Sequence, residues 1–311
     1  MQPIVPMEPT ACETIPQGEN WIAQVKWDGV RVLTYFDGHD IGLFNRRQNE
    51  RTMHYPEITE IQRYCRARSI ILDGEVIALG ADGKPSFHEV MRRDGIRRME
   101  KVNQIRNIVP ITYMIFDVIF ANGEWVNQRP LHERMELLTE LVTTDEHIQL
   151  VSSHEDGQAL FEVIRQHEME GIVVKDVNSS YAINGKSDRW QKKKFYKDLI
   201  AVVGGVTFRG NMVNALLLGS YNRQGQLIYI GHAGTAKWTQ EEWRSFTRLV
   251  QPLIQQEMPF FRTPPRHRDA VWLKPELTVK VQFAEWTHDG SMRQPSIQAL
   301  VDISPENCVL D

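Results

Sequence analysis

Lys26-Trp27-Asp28-Gly29-Val30-Arg31 sets a lysine at the end of a short apolar stretch, a tight turn directly after it, and a second cation close by. Lysine is a nucleophile only as the free amine. Its reference pKa of about 10.4 leaves roughly one amine in a few thousand neutral at pH 7. Desolvation and neighbouring cations move that balance toward the neutral form. Alone, the hexapeptide also fits an exposed hairpin with a surface lysine. Glu75 follows Ile71-Leu72-Asp73-Gly74, and Glu170 precedes Gly171-Ile172-Val173-Val174-Lys175. Carboxylates beside apolar strands are costly to bury unpaired, so both are expected to face a site rather than the core. Lys192 and Lys194 alternate with Gln191 and Lys193, and on a strand that period puts both lysines on one face. The plain alternatives are a solvated lysine edge, a core phenylalanine at Phe116 and solvated arginines at Arg31 and Arg46.

These residues need elements to hold them. Trp21 to Val25 reads as a strand that delivers Lys26 to the Asp28-Gly29 turn, and Val30 to Phe36 as the next strand, closed by a turn at Asp37-Gly38. Ile58 to Cys65 has helical spacing, and Ile70 to Leu79 and Ile111 to Phe120 are β-rich. Pro130 opens a helix with Leu131, Met135, Leu138, Leu141 and Val142 on one face. A helix from about Gly157 to Glu168 precedes the strand Gly171 to Lys175. This mixture predicts an α+β domain of antiparallel sheets with flanking helices. After Lys197 the character changes to short strands at Leu199 to Phe208, Ala215 to Tyr221, Leu227 to His232, around Val271 and at Val279 to Trp286. One helix lies among them, capped by Thr239 with Glu242 three residues on. That is the content of a C-terminal OB-fold β-barrel, so domains are expected at 1–197 and 198–311.

The chain has 311 residues and a formal net charge of −4, which argues against a general coat of positive charge. Local clustering is what matters for a phosphate-rich partner. Asn184 to Lys197 holds six basic residues against one acid, and a second basic stretch runs from Arg92 to Arg106. Three cysteines without a C-x-x-C pair exclude a disulfide framework and fit a reducing compartment. No apolar run approaches the length of a transmembrane helix, and Met1 to Pro16 lacks the pattern of a secretory signal.

In order along the chain, Lys26 to Arg31, Asn45-Arg46, Asp73-Gly74-Glu75, Phe116-Asp117, Glu170 to Lys175 and Trp190-Gln-Lys-Lys-Lys194 resemble motifs I, Ia, III, IIIa, IV and V of the ATP-dependent DNA ligases, in the covalent nucleotidyltransferase superfamily. Trp272-Leu-Lys-Pro-Glu-Leu and Val281 to Ser296 resemble the OB domain of bacterial end-joining ligases, the ligase module of ligase D and its stand-alone relatives. The short stretch before Lys26 suggests a two-domain minimal ligase without the helical DNA-binding domain of larger ligases. The resemblance implies a DNA ligase (ATP), EC 6.5.1.1, that seals 5′-phosphate/3′-hydroxyl breaks in duplex DNA, in repair or end joining.

By that resemblance Lys26 attacks the α-phosphate of ATP and holds AMP. AMP then passes to the 5′-phosphate of a nick, and the 3′-hydroxyl seals the strand. Phe116 stacks on adenine. Arg31 and Arg46 contact ribose and phosphate. Lys186, Lys192 and Lys194 contact phosphates. Glu75 sits near the ribose or a metal and Glu170 near a metal, the metal being Mg²⁺ or Mn²⁺. Implied partners are nicked or broken double-stranded DNA and a Ku-type end-binding protein, with no membrane. The expected state is a monomer in the bacterial cytoplasm, encoded by the host or a phage.

Two departures stand out. Gln24 occupies the place where the family has a glutamate that accepts a hydrogen bond from the adenine amino group. Leu300-Val301-Asp302-Ile303-Ser304 occupies the place of the terminal R-x-D-K motif VI. Slower loading with AMP is expected, or a substitute cation such as Arg293 or Lys280. An RNA ligase or capping guanylyltransferase shares the lysine chemistry, and a non-catalytic nick-binding scaffold is the alternative from another class.

Overall fold

The computed structural model describes residues 1–236, 238–265 and 267–310. It divides into two units, Met1–Phe195 and Tyr196–Asp311. In the first, β1 (Glu8–Ala11), β2 (Trp21–Val25), β3 (Val30–Phe36) and β4 (Ile41–Asn45) precede two single-turn helices, α1 (Pro56–Thr59) and α2 (Ile61–Tyr64). Then come β5 (Ile70–Ile77), α3 (Phe87–Asp94), α4 (Val102–Ile105), β6 (Thr112–Ala121), β7 (Glu124–Trp125), α5 (Leu131–Leu141), β8 (Ile148–Leu150), α6 (Gly157–Gln166), β9 (Gly171–Asp176) and β10 (Lys186–Lys194). The helical spacing at Ile58 to Cys65 is realised as two turns, broken at Glu60, whose ψ of 54° leaves the helical region.

Two sheets result. One has the order β1-β10-β9-β2, and the other β4-β3-β5-β6-β7 with β8 beside β6. The strands of the second sheet are apolar on both faces, as a sheet covered on both sides must be. Ile70, Leu72 and Val76 face a cluster with Ile58, Tyr64, Leu138 and Leu141 of the helices. Leu33, Tyr35, Ile71 and Ile119 pack with Met7, Tyr181 and Trp190 from the side of the first sheet. Each fully buried aliphatic side chain contributes about 1.5–3 kcal/mol. The period of two then does the positioning. Arg31 shares a face with Leu33 and Tyr35, and Asp73 and Glu75 share one with Ile71, so the polar ends of apolar strands point where the two sheets meet.

Charges buried elsewhere in this unit are structural. Arg93, from the second basic stretch, is turned inward and takes Glu57 in a two-pronged pair at 2.9 Å. Arg134 on α5 does the same with Asp117 on β6, at 2.8 and 2.9 Å.

The second unit is β-rich. It comprises β11 (Lys197–Arg209), β12 (Met212–Tyr221), β13 (Leu227–Ala233), β14 (Thr235–Ala236), α7 (Gln240–Val250), β15 (Ile254–Gln255), β16 (Val271–Leu273), β17 (Thr278–Phe283), β18 (Glu285–Trp286), β19 (Met292–Arg293) and β20 (Ser296–Val301). The main path is β13-β12-β11-β17-β20-β14, around a core that includes Val203, Leu216, Ile230, Phe246 and Val281. Thr239 and Glu242 form the reciprocal cap of α7. The sequence reading has no strand at β20, which ends at Val301, where Thr278 Oγ1 lies 3.0 Å from the carbonyl of Val301 and 2.9 Å from that of Ile303. Among the described residues, no helix is long and apolar enough to cross a membrane.

Candidate active site

Lys26 follows β2 directly, and its backbone N–H donates to Gly171 O at 2.9 Å, which ties the lysine to the start of β9. Two glycines make this approach possible. A Cβ on Gly29 would lie 2.2 Å from Val76 O, and one on Gly171, at φ +147°, 2.2 Å from Lys193 O. The Lys26 Nζ stands 2.7 Å from Glu170 Oε2, and Lys194 Nζ stands 3.1 Å from Glu170 Oε1. One carboxylate therefore bridges the lysine of the turn and a lysine of β10.

The alternation foreseen on β10 is realised. Trp190, Lys192 and Lys194 pair with Lys175, Val173 and Gly171 of β9, and the Lys193 amine donates to Glu13 O. Burial, with Lys26 and Lys194 close by, holds the Lys192 amine below its ordinary value.

Arg31 and Glu75 are direct cross-strand partners of β3 and β5. Arg31 grips Asp73 with Nε–Oδ1 2.9 Å and Nη2–Oδ2 2.5 Å, and donates to Met7 O at 2.7 Å. Tyr181 Oη donates to the same Asp73 at 2.6 Å. Burial alone would lower the Arg31 pKa, but Asp73 and Tyr181 outweigh it, and the guanidinium stays charged. Glu75 goes the other way. Burial pushes its pKa up to about 8, Lys26 and Arg31 oppose that, and the charges of Glu170 and Asp73 add to it. Excess negative charge in a confined space is what a bound cation relieves. Two carboxylates suit an ion such as Mg²⁺ that keeps waters and takes phosphate oxygens. Among the described residues, no group of three or more His, Cys, Asp or Glu is arranged to hold a metal ion.

Phe116 lies half-buried on β6. The Arg31 guanidinium is 5.3 Å and the Lys175 amine 4.6 Å from its ring centre. Trp190 meets it edge-on, with centroids 6.4 Å apart. Gln24 on β2 is buried, and its Nε2 donates to Ser153 Oγ at 3.1 Å, which leaves Oε1 as the acceptor of that amide. Arg46 and Lys186 are exposed and each approaches Glu8, at 3.3 and 3.6 Å.

Asp73 and Lys175 stand in motifs read from the sequence without a role of their own, and Tyr181 stands in none. Asp73 and Tyr181 fix Arg31 through contacts that no local spacing announces. Lys175 is buried, its Nζ has no hydrogen-bond partner among the described residues, and it sits 4.0 Å from the centre of the Trp190 ring. Burial pulls its pKa down to about 7, against Asp117 and Asp73. A lysine inside an otherwise apolar strand was the available signal. In the second unit, the two candidate substitutes for motif VI are paired: Lys280 with Asp198 at 3.5 Å, and Arg293 with Glu285.

The arrangement can present an amine, hold two carboxylates beside it, and surround a phosphate chain with cations. Comparison with known proteins agrees with that chemistry. The ATP dependent DNA ligase domain profile matches residues 7–194, and the ATP dependent DNA ligase C terminal region matches residues 209–302. The chain is 28% identical over 300 residues to the multifunctional non-homologous end joining protein LigD of Mycolicibacterium smegmatis, covering 94% of this chain and 38% of that protein. It is 27% identical to a DNA ligase of Thermococcus fumicolans, covering 91% of this chain and 52% of the other. The chain thus spans about two-fifths to one-half of these relatives. Among solved structures, mycobacterial DNA ligase D complexed with ATP and MES superposes with a TM-score of 0.53 at 25% identity, covering 99% of this chain and 98% of that one. The ligase domain of M. tuberculosis LigD gives 0.54 at 24% identity, with the same coverage. With a family profile matching well over half of its length, this chain belongs to the ATP-dependent DNA ligases.

Proposed function

We propose that this chain seals 5′-phosphate/3′-hydroxyl breaks in duplex DNA through an adenylate carried on Lys26, with residues 1–197 as the adenylation domain and 198–311 as the OB-fold domain. The observation that carries this reading is the convergence of Lys26, Lys194 and Glu170 at one point, with Lys192 on the same strand face as Lys194. The Lys26 amine, once deprotonated, forms a bond to the α-phosphorus of ATP as the bond to pyrophosphate breaks. Lys192 and Lys194 hold phosphate oxygens. Phe116 stacks on adenine, and Gln24 Oε1 accepts from its amino group. Arg31, fixed by Asp73 and Tyr181, lies beside the Phe116 ring and reaches the ribose.

Glu75 and Glu170 would hold Mg²⁺ or Mn²⁺, which when bound offsets the negative charge of the phosphates. Glu75 would bind such a cation in its ionised form. The end-joining proteins among the relatives support a role in double-strand-break repair, in which a Ku-type end-binding protein brings the ends together.

The test is to incubate the protein with α-labelled ATP or GTP and Mg²⁺, after stripping any resident AMP with pyrophosphate. Label from ATP should appear on the protein, disappear on adding 5′-phosphorylated nicked DNA, and be lost at least about a thousandfold in Lys26→Ala. Label from GTP would identify a capping enzyme instead. No label from either would leave only a scaffold.

A further inference from the structure

A carboxylate of the protein itself stands among the cations read above as phosphate ligands. Glu8 opens β1, and its oxygens are divided. Oε1 meets Arg46 Nη1 at 3.3 Å and Oε2 meets Lys186 Nζ at 3.6 Å. These cations come from different places, Arg46 just past β4 and Lys186 from the first residue of β10. Glu8 also acts on Lys192, opposing the neighbouring lysines that lower its pKa.

The backbone holds Glu8 in place. Its N–H donates to Gly185 O at 3.0 Å, Met7 N–H donates to Tyr181 Oη at 3.1 Å, and Arg31 binds Met7 O. β1 lies parallel to β10, with Glu8 opposite Lys186. The carboxylate is therefore presented by a fixed strand to side chains that remain partly in water. Ion pairs of this exposed kind are weak and exchange readily.

We propose that Glu8 is a built-in occupant of a phosphate subsite, holding Arg46 and Lys186 until a phosphate group takes its place and weakening the grip on that phosphate once it has arrived. The inference rests on the functional reading above. Two sources share the chemistry: the pyrophosphate part of ATP and the 5′-phosphate of a DNA nick. The consequence is the same for both, since a fixed negative charge beside a phosphate disfavours its retention. For pyrophosphate it eases departure after Lys26 is loaded.

The experiment uses the full chain, preloaded with labelled AMP, and the variants Glu8→Gln and Glu8→Asp. Glu8→Gln keeps the shape and removes the charge; Glu8→Asp keeps the charge on a shorter arm. The first arm titrates inorganic pyrophosphate. Its oxygen attacks the Lys26–AMP phosphorus, the P–N bond breaks, ATP leaves, and the amine takes up a proton. The half-maximal pyrophosphate concentration should fall about three- to tenfold in Glu8→Gln and stay within about twofold of the parent in Glu8→Asp. The second arm measures binding of nicked duplexes with and without the 5′-phosphate. A stronger phosphate-dependent gain in Glu8→Gln there, without a pyrophosphate shift, assigns the subsite to DNA. No shift in either arm, or an equal shift in Glu8→Asp, overturns the proposal while parent loading still supports the ligase reading. A parent that never forms the adenylate overturns both.

Discussion

Glu170 Oε2 lies 2.7 Å from the Lys26 Nζ. The Lys26 amine donates to that carboxylate, and an amine attacks phosphorus only through a free lone pair. The same contact also aims it, because the other oxygen of Glu170 is fixed by Lys194 and the Glu170 carbonyl accepts from Phe195 N–H. On the proposed mechanism, attack on phosphorus requires Glu170 to give up Lys26. A phosphate chain on Lys194 and a cation on the carboxylate would each favour that release.

Glu170→Gln should therefore be defective in loading well beyond any loss of ATP binding. The single-turnover rate of adenylate formation should fall about a hundredfold, while ATP binding measured by fluorescence changes by only a few-fold. A variant with parental loading rates would remove Glu170 from the chemistry.

Phe116 offers its ring between two cations and the edge of Trp190. Base stacking on an aromatic side chain contributes about 1–3 kcal/mol. Phe116→Leu should raise KM for ATP about 5- to 100-fold, and Phe116→Tyr should keep most of the affinity. Equal effects from Leu and Tyr would indicate that the ring only fills space.

Glu75 gives the fold a pH dependence with a definite sign. Its folded pKa is raised to about 8 from an ordinary 4.5. Between those values the folded chain binds more protons than the unfolded one, so stability falls as pH rises through this window. Glu75→Gln removes that contribution. The Tm of the parent relative to Glu75→Gln should decline from pH 5 to pH 8.5, as followed by calorimetry. A difference that is flat or rises with pH would contradict the assignment.

The Arg134–Asp117 pair is fully buried, and Arg134 also donates to the carbonyls of Arg129 and Ser179. Breaking such a pair leaves a buried charge uncompensated. Arg134→Met should cost about 3–5 kcal/mol in urea unfolding of the chain. Arg134→Lys should recover only part of it, because an ammonium cannot make the two-pronged contact.

The parts of the fold and of the site that could be read from the sequence are those set by local periodicity. The Lys26 turn, the facing lysines of β10 and the reciprocal cap of α7 each need only a few consecutive residues. The Arg31–Asp73–Tyr181 cluster joins residues up to 150 positions apart, and nothing near any of them signals the other two. Helix α3 was missed for a different reason. Its sequence, Phe-His-Glu-Val-Met-Arg-Arg-Asp, is mostly polar, and the buried partner that explains Arg93 is Glu57, on another element. Gly29 was read as a turn former, yet its closest constraint is the carbonyl of Val76 across the sheet.

The strand Glu8–Ala11 has a practical bearing on enzymology. Met7 holds Arg31 through its carbonyl, and Ile4 N–H donates to Tyr35 Oη. A purification handle fused just ahead of these residues would load the segment that fixes Arg31 and Tyr35. Kinetic constants from such a fusion would mix the handle's strain with the enzyme's own behaviour.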